Sequence, residues 1–426
     1  MSDPVLIVGH SLVGTTMPDM LATLLPSTRI DAQIINGASL AYNWDHGATA
    51  QGVDARDLLP GGDYATLILT EAIPLADAIA GADTYGAAEN YASLAWDANP
   101  DTRVLIYETW DDVTNPKAFR AALTADLALW QSIVDVLNAA RPAGAPEVGM
   151  VPGGQTMALL YDTIDASRGL GLKSITQVFE DDIHLNDIGN YLIALVQTAT
   201  ITGQSTVGAA TSLTDAFGQP YSGWTPDQAN LLQHLAWEAA SVAPGADLAA
   251  GTVLPQHLAG TSAAETVSAA NGDDRIYGDA GGDSLLGKGG RDLIQGEKGS
   301  DTLKGGGGAD WLYGDSGKDT LSGDGGSDRL SGGAGNDSLT GGDGADVFVF
   351  ETGQGNDLIS DFDPNQGDRL LLSAEILGDT LTPNQIIARH ATLTASGVLL
   401  DFGSDGSVML QGLTTTSGLA GQIDLL

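Results

Sequence analysis

The 426-residue chain contains no cysteine, which excludes a disulfide framework, a thiolate nucleophile and any Cys-ligated zinc or iron–sulfur cluster. Basic residues are scarce: 17 Lys and Arg face 55 Asp and Glu, a formal net charge of −38. A polyanion of this size is repelled by nucleic-acid phosphates and anionic membranes, so neither is an expected partner. No run of 18 apolar residues occurs, so no membrane span is expected. The stretch before Val5-Leu6-Ile7-Val8 lacks a basic N-region and a long apolar segment, so no cleavable secretory signal is expected. His-Glu-x-x-His is also absent, which removes that zinc-protease motif.

What is present falls into two halves of different periodicity. Residues 1–245 alternate short apolar runs with helix-like stretches. The runs Val5–Val8, Ile30–Ile35, Ala65–Leu69, Arg103–Tyr107 and Val148–Val151 read as buried parallel strands. Pro116–Ala140 has helical spacing, and Thr225-Pro226-Asp227 opens another helix with an N-cap followed by Pro. This alternation predicts an α/β three-layer sandwich around a parallel sheet. Residues 246–268 are rich in Ala, Gly and Thr and read as a linker.

From Ala269 the order Gly-x-Asp-x-apolar returns every nine residues. The Asp set is Asp274, Asp283, Asp292, Asp301, Asp310, Asp319, Asp328, Asp337 and Asp346, and the apolar partners run from Ile276 to Phe348. One unit cannot bury its single apolar side chain, so units must stack. Two units make one coil, which places Asp residues 18 apart in one column. At the strand spacing of about 4.8 Å, like charges repel by roughly 0.9 kcal/mol per pair in water and by more at lower dielectric. The columns therefore require cations, and hard oxygen ligands select Ca²⁺.

This array resembles the calcium-binding repeats of RTX (hemolysin-type) proteins. The resemblance implies a parallel β-roll over 269–362 that folds at extracellular calcium levels. It also implies export by a type I secretion apparatus reading an uncleaved C-terminal signal. Residues 363–426 would then form a cap, with a hairpin Val398–Phe402 and Val408–Leu410 around Gly403-Ser404-Asp405-Gly406, and carry that signal.

Ligands of open α/β sheets bind beyond the carboxyl ends of the strands. Those ends carry Gly9-His10-Ser11, Asn36-Gly37, Thr70-Glu71 and Glu108-Thr109-Trp110, and Asp181-Asp182-Ile183-His184 follows late in the half. Gly9-His10-Ser11-Leu12-Val13-Gly14 misses the Gly-x-Ser-x-Gly elbow by one residue, which excludes the α/β-hydrolase lipases. An Asp three residues before a His can fix the imidazole tautomer while the other ring nitrogen faces a hydroxyl, here that of Ser11.

Gly9-x-Ser11-Leu12, Gly37 and Asp181-x-x-His184, in this order, resemble the SGNH (GDSL-type) hydrolases, which have a flavodoxin-like fold. The resemblance implies Ser11 as nucleophile, His184 as base and Asp181 as its orienter, with Asp182 an alternative orienter. The amides of Ser11 and Gly37 would be oxyanion donors. The pattern departs from the family at His10, where Asp is expected, and at Thr70-Glu71-Ala72, where Gly-x-Asn is expected. Asn36 or Asn43 are substitute donors. Asn43, Trp44, Glu71, Glu108 and Trp110 are candidate substrate-binding residues. The chain thus reads as a secreted, calcium-binding serine esterase acting on acyl or acetyl esters, for example of extracellular polysaccharide. The rival is a calcium-dependent extracellular glycan-binding or matrix protein with an inactive domain.

Overall fold

The computed structural model describes residues 3–10, 16–214, 219–249, 252–377 and 381–426. Two compact units emerge, Met1–Thr252 and Val253–Leu426.

In the first unit the apolar runs form β1 (Val5–Gly9), β2 (Ile30–Ile34), β4 (Thr66–Leu69), β5 (Arg103–Tyr107) and β6 (Gly149–Val151), with a short β3 (Gln51–Gly52) between them in sequence. The sheet order is β3-β2-β1-β4-β5-β6. Five strands are parallel, with Val5 opposite Ile30 and Thr66, and Leu105 opposite Gly149. The expected all-parallel sheet is in fact mixed, because β3 runs antiparallel to β2. Gly52 permits this: at φ +91° a Cβ there would lie 2.1 Å from the Ala32 carbonyl oxygen, so only glycine approaches so closely.

Helices α1 (Thr16–Leu24), α2 (Leu40–His46), α3 (Ala55–Leu58), α4 (Leu75–Gly81), α5 (Thr84–Ala98), α6 (Pro116–Ala140), α7 (Gly153–Asp165), α8 (Asp187–Thr202) and α9 (Pro226–Ser241) flank the strands. Leu6, Val8, Leu67, Leu69, Val104 and Ile106 pack against α2, α5 and α6. Helices α1, α7, α8 and α9 pack on one another as a second group. Thr225 caps α9 as expected, and Gln228 closes the capping box.

The second unit is a curled run of parallel strands. In one sheet Ile276, Ile294, Leu312, Leu330 and Phe348 stand in register. In the other Leu285, Leu303, Leu321 and Leu339 do the same. Every register step is 18 residues, and all nine side chains are buried inside the roll. The segment taken for a linker is partly roll. His257–Ala259 and Thr266–Ser268 are strands paired 18 residues ahead with Arg275–Tyr277 and Ser284–Leu286.

Beyond the array, Gly397–Asp401 and Gly406–Gln411 form the expected hairpin, with Val398 opposite Leu410. Its second strand continues one sheet beside Gly355–Ile359. Ile423–Leu425 continues the other sheet beside Leu370–Leu372. Helix α11 (Pro383–His390) closes over this end and was not expected, as was the single-turn α10 (Ala374–Leu377) before it.

The roll's tightness rests on glycines between coils. Gly317 sits at φ +148°, and a Cβ there would fall 1.3 Å from the Gly299 carbonyl oxygen. Gly317→Ala should therefore destabilise the folded C-terminal unit by about 3–5 kcal/mol. Gly421→Ala, with open space around its Cβ, should change it little. Urea melts in saturating calcium would separate the two.

Candidate functional site

The carboxyl ends of β1, β4 and β5 meet the loop before α8, and the candidate site lies there. Ser11 is outside the described residues; the position preceding it, His10, is buried at the end of β1. Burial drives the His10 imidazole down to about 4; a bond to the Glu71 backbone carbonyl opposes this and the nearby His184 adds to it. His10 is therefore neutral at physiological pH.

In the loop, Asp181 Oδ1 accepts from the amides of Ile183 (2.9 Å) and His184 (2.7 Å). Its Oδ2 meets His184 Nδ1 at 2.8 Å. The two amides, with the imidazole, hold the Asp181 carboxyl down at about 2. It stays ionised at any working pH, so Nδ1 carries the proton and Nε2 is left as the basic nitrogen. Both side chains are partly exposed, as a base that must reach a substrate requires.

Four residues proposed to face substrate turn inward. Glu71 is 0% exposed, and its Oε1 accepts from the amides of Leu40 (2.9 Å) and Ala72 (2.7 Å). It thereby ties the start of α2 to the end of β4. Burial raises its carboxyl above the ordinary value. Glu108 is 1% exposed and accepts from Gln155 N and Nε2, both at 2.9 Å, at the start of α7. Asn43 is buried, donating to the Ser39 carbonyl while its own oxygens face Gln33 Nε2. Trp110 is buried, with its indole donating to the Ile183 carbonyl at 3.0 Å. The surfaces that would touch a ligand are taken by the protein. Trp44 is only partly buried, edge-on to Tyr91. Gly37, at φ +67°, is exposed with nothing near its Cβ position, so the loop after β2 is open there.

The roll carries a second constellation. Asp292 Oδ1 accepts from the Asp274 amide (2.9 Å), Asp310 from Asp292 (2.8 Å), Asp328 from Asp310 (2.8 Å) and Asp346 from Asp328 (2.9 Å). The other column repeats this through Asp283, Asp301, Asp319 and Asp337. In all nine residues Oδ2 is buried and has no hydrogen-bond partner.

Burial, against the amide each accepts and with help from its neighbours' charge, lifts the Asp310 carboxyl to about 8 and those of Asp292, Asp319 and Asp328 to about 7. A row of bare, buried carboxylate oxygens fits hard divalent cations, which would offset that cost. Among the described residues no group of three His, Cys, Asp or Glu side chains converges on a point, so carboxylates alone do not complete a calcium shell, which takes carbonyl and water oxygens as well.

Two further carboxylates extend the columns. Asp357 accepts from the Asp337 amide and Asp368 from the Asp346 amide, each at 3.0 Å. Their offsets of 20 and 22 residues hide them from a nine-residue period.

Residues 259–294, 286–321 and 322–359 match the family described as RTX calcium-binding nonapeptide repeat (4 copies). The C-terminal unit thus carries RTX repeats, and Ca²⁺ is the ion they bind. No curated protein matches the chain. Among solved structures, a DUF4886 family protein from Bacteroides uniformis is 15% identical, covers 55% of this chain and 93% of its own, with TM-score 0.40. The extracellular lipase of Serratia marcescens is also 15% identical, covering 82% and 74%, with TM-score 0.23. Among the described residues no helix is long and apolar enough to cross a membrane.

Two predictions follow from these carboxylates. Chelation with EGTA should abolish the circular-dichroism signal of the roll. Asp310→Asn should lower the calcium bound at saturation by at least one ion and raise several-fold the calcium needed to fold the unit; calorimetric titration measures both.

For Glu108, burial raises the carboxyl from 4.5 to about 7. The fold favours its protonated form, so this stabilisation is full below the unfolded value and lost as pH rises through about 7. The N-terminal unit should then weaken between about pH 5 and pH 8, and Glu108→Gln should flatten that slope and add about 1–3 kcal/mol at pH 8. Urea melts across pH in calcium test it.

Proposed function

We propose that the chain is a secreted, calcium-binding serine esterase of the SGNH type, with an N-terminal hydrolase domain carried by the RTX roll. The observation that supports it most is the Asp181–His184 pair. Its Nδ1 bond of 2.8 Å fixes the tautomer in which Nε2 is basic, and it lies near His10, the residue before Ser11.

In this reading Nε2 of His184 takes the Ser11 proton as the hydroxyl attacks an ester carbonyl. Asp181 stabilises the imidazolium, and the proton passes to the departing alcohol. Water activated by the same nitrogen then releases the acyl group from Ser11. The amides of Ser11 and Gly37 would hold the oxyanion. Glu71 stands where the family has a third donor, and a missing donor costs about 2.7–4 kcal/mol of transition-state stabilisation. The Glu71 carboxyl is bonded through Oε1 to the Leu40 and Ala72 amides, and its burial disfavours the ionised form that would oppose the oxyanion.

Substrates would be acyl or acetyl esters, with esters of extracellular polysaccharide one example. Export through a type I apparatus accords with the repeats, whose family is exported that way. The rival, a non-catalytic glycan binder, is weakened by the inward placement of Trp110, Glu71 and Glu108, which would have lined a sugar cleft.

A fluorophosphonate probe should label Ser11 in the wild type and not in Ser11→Ala or His184→Ala. Asp181→Asn should slow p-nitrophenyl acetate turnover by about 10²–10⁴-fold. Turnover that survives Ser11→Ala unchanged, or glycan binding without any labelled serine, defeats the esterase assignment.

A further inference from the structure

We infer that Trp110 is a positioning residue for His184, acting through its indole N–H. The inference deepens the proposed activity and rests on it for its kinetic readout alone.

The tip of the His184 loop is exposed at Asp181 and Asp182, yet it is held from the segment that follows β5. Trp110 Nε1 donates to the Ile183 carbonyl at 3.0 Å, and Val113 N donates to the Asp182 carbonyl at 2.8 Å. Within the loop, Glu180 N donates to the His184 carbonyl at 2.8 Å.

The Ile183 carbonyl and the His184 amide belong to one planar peptide unit. Trp110 holds its oxygen, and Asp181 Oδ1 holds its nitrogen at 2.7 Å. With both ends of that plane fixed, the direction in which His184 leaves the backbone is fixed too, and the Nδ1 bond to Asp181 sets the ring. Trp110 is able to serve as an anchor because its own ring cannot turn. It is 1% exposed and edge-on to Tyr107 (6.4 Å between centroids) and Phe179 (6.2 Å). Phe119 backs Phe179 edge-on at 5.8 Å. A carbonyl that loses its anchoring donor shifts to find another, and a small displacement of a catalytic base is costly to turnover.

The test is Trp110→Phe in the full chain with calcium, which keeps an aromatic ring and removes the donor. Ester turnover should lose about tenfold in kcat with KM within about twofold. The pH dependence of kcat should shift, and in ¹⁵N-histidine spectra the His184 Nδ1–H signal should move or broaden while the fold is retained. Unchanged kcat and an unmoved His184 signal overturn the inference, as does a loss of rate that only tracks the unfolded fraction. If the wild type hydrolyses no ester, the esterase assignment fails by itself, and the His184 signal still decides the role of Trp110. Should the variant not fold, the Trp110 indole proton of the wild type decides: slow exchange with solvent supports the anchor, and exchange at the rate of an unbonded indole refutes it.

Discussion

A buried carboxylate with one oxygen bonded and the other bare is the unit on which the C-terminal half is built. From Asp292 to Asp346 each Asp Oδ1 closes on the amide of the Asp one coil earlier, at 2.7–2.9 Å. That bond satisfies an amide at the turn and fixes the 18-residue step, so that Ile276, Ile294, Leu312 and their successors fall on one another. The hydrophobic interior and the charged columns are therefore one construction. Moving a coil by a residue would misplace both its leucine and its carboxylate. The remaining oxygens are the source of strain in the apo state, since burial and the next carboxylate in the column oppose their ionisation together.

The N-terminal half also buries carboxylates, and there backbone amides offset part of the cost. Glu71 and Glu108 each accept backbone amides at a helix start, where such donors are otherwise unpaired and the helix dipole favours a negative group. The consequence reaches the candidate site. Glu71 fixes the loop that carries Gly37 and α2, and Glu108 begins the segment that continues through Trp110 to Val113 and holds the His184 loop. Even the glycines obey this arrangement: a Cβ on Gly154 would lie 2.8 Å from the Glu108 side chain.

The nine-residue period made the roll legible because Asp and its apolar partner recur in phase. Where the first coil was missed, the chemistry differs. Gln256 and Glu265 stand at the Asp positions, while Leu258 and Val267 keep the apolar ones. Their amides still bond to Asp274 and Asp283, so the coil forms without carrying the motif. At the other end, insertions shift Asp357 and Asp368 out of period. Helix α11 was overlooked although Thr382-Pro383-Asn384-Gln385 repeats the signal of Thr225-Pro226-Asp227-Gln228; in both the Gln side chain accepts the Thr amide. For the site, Asp181-x-x-His184 was readable because three residues of loop suffice to close its bonds. The inward turn of Glu71, Glu108, Asn43 and Trp110 was not, since strand ends present side chains alternately to core and ligand, and tertiary partners far along the chain decide which.

The choice of Asp for the columns has a consequence that Asn would not have. An Asn at each position could accept the same amide through its carbonyl and donate its NH₂ to the next residue, as stacked amides do in cross-β ladders. Such a roll would hold together without metal. Aspartate offers no donor, so every added coil brings two more buried oxygens that must be protonated or bound to a cation. Stability then depends on the calcium supply and grows with each occupied position. Cations held in the columns would also offset part of the self-repulsion of a chain that carries a net charge of −38.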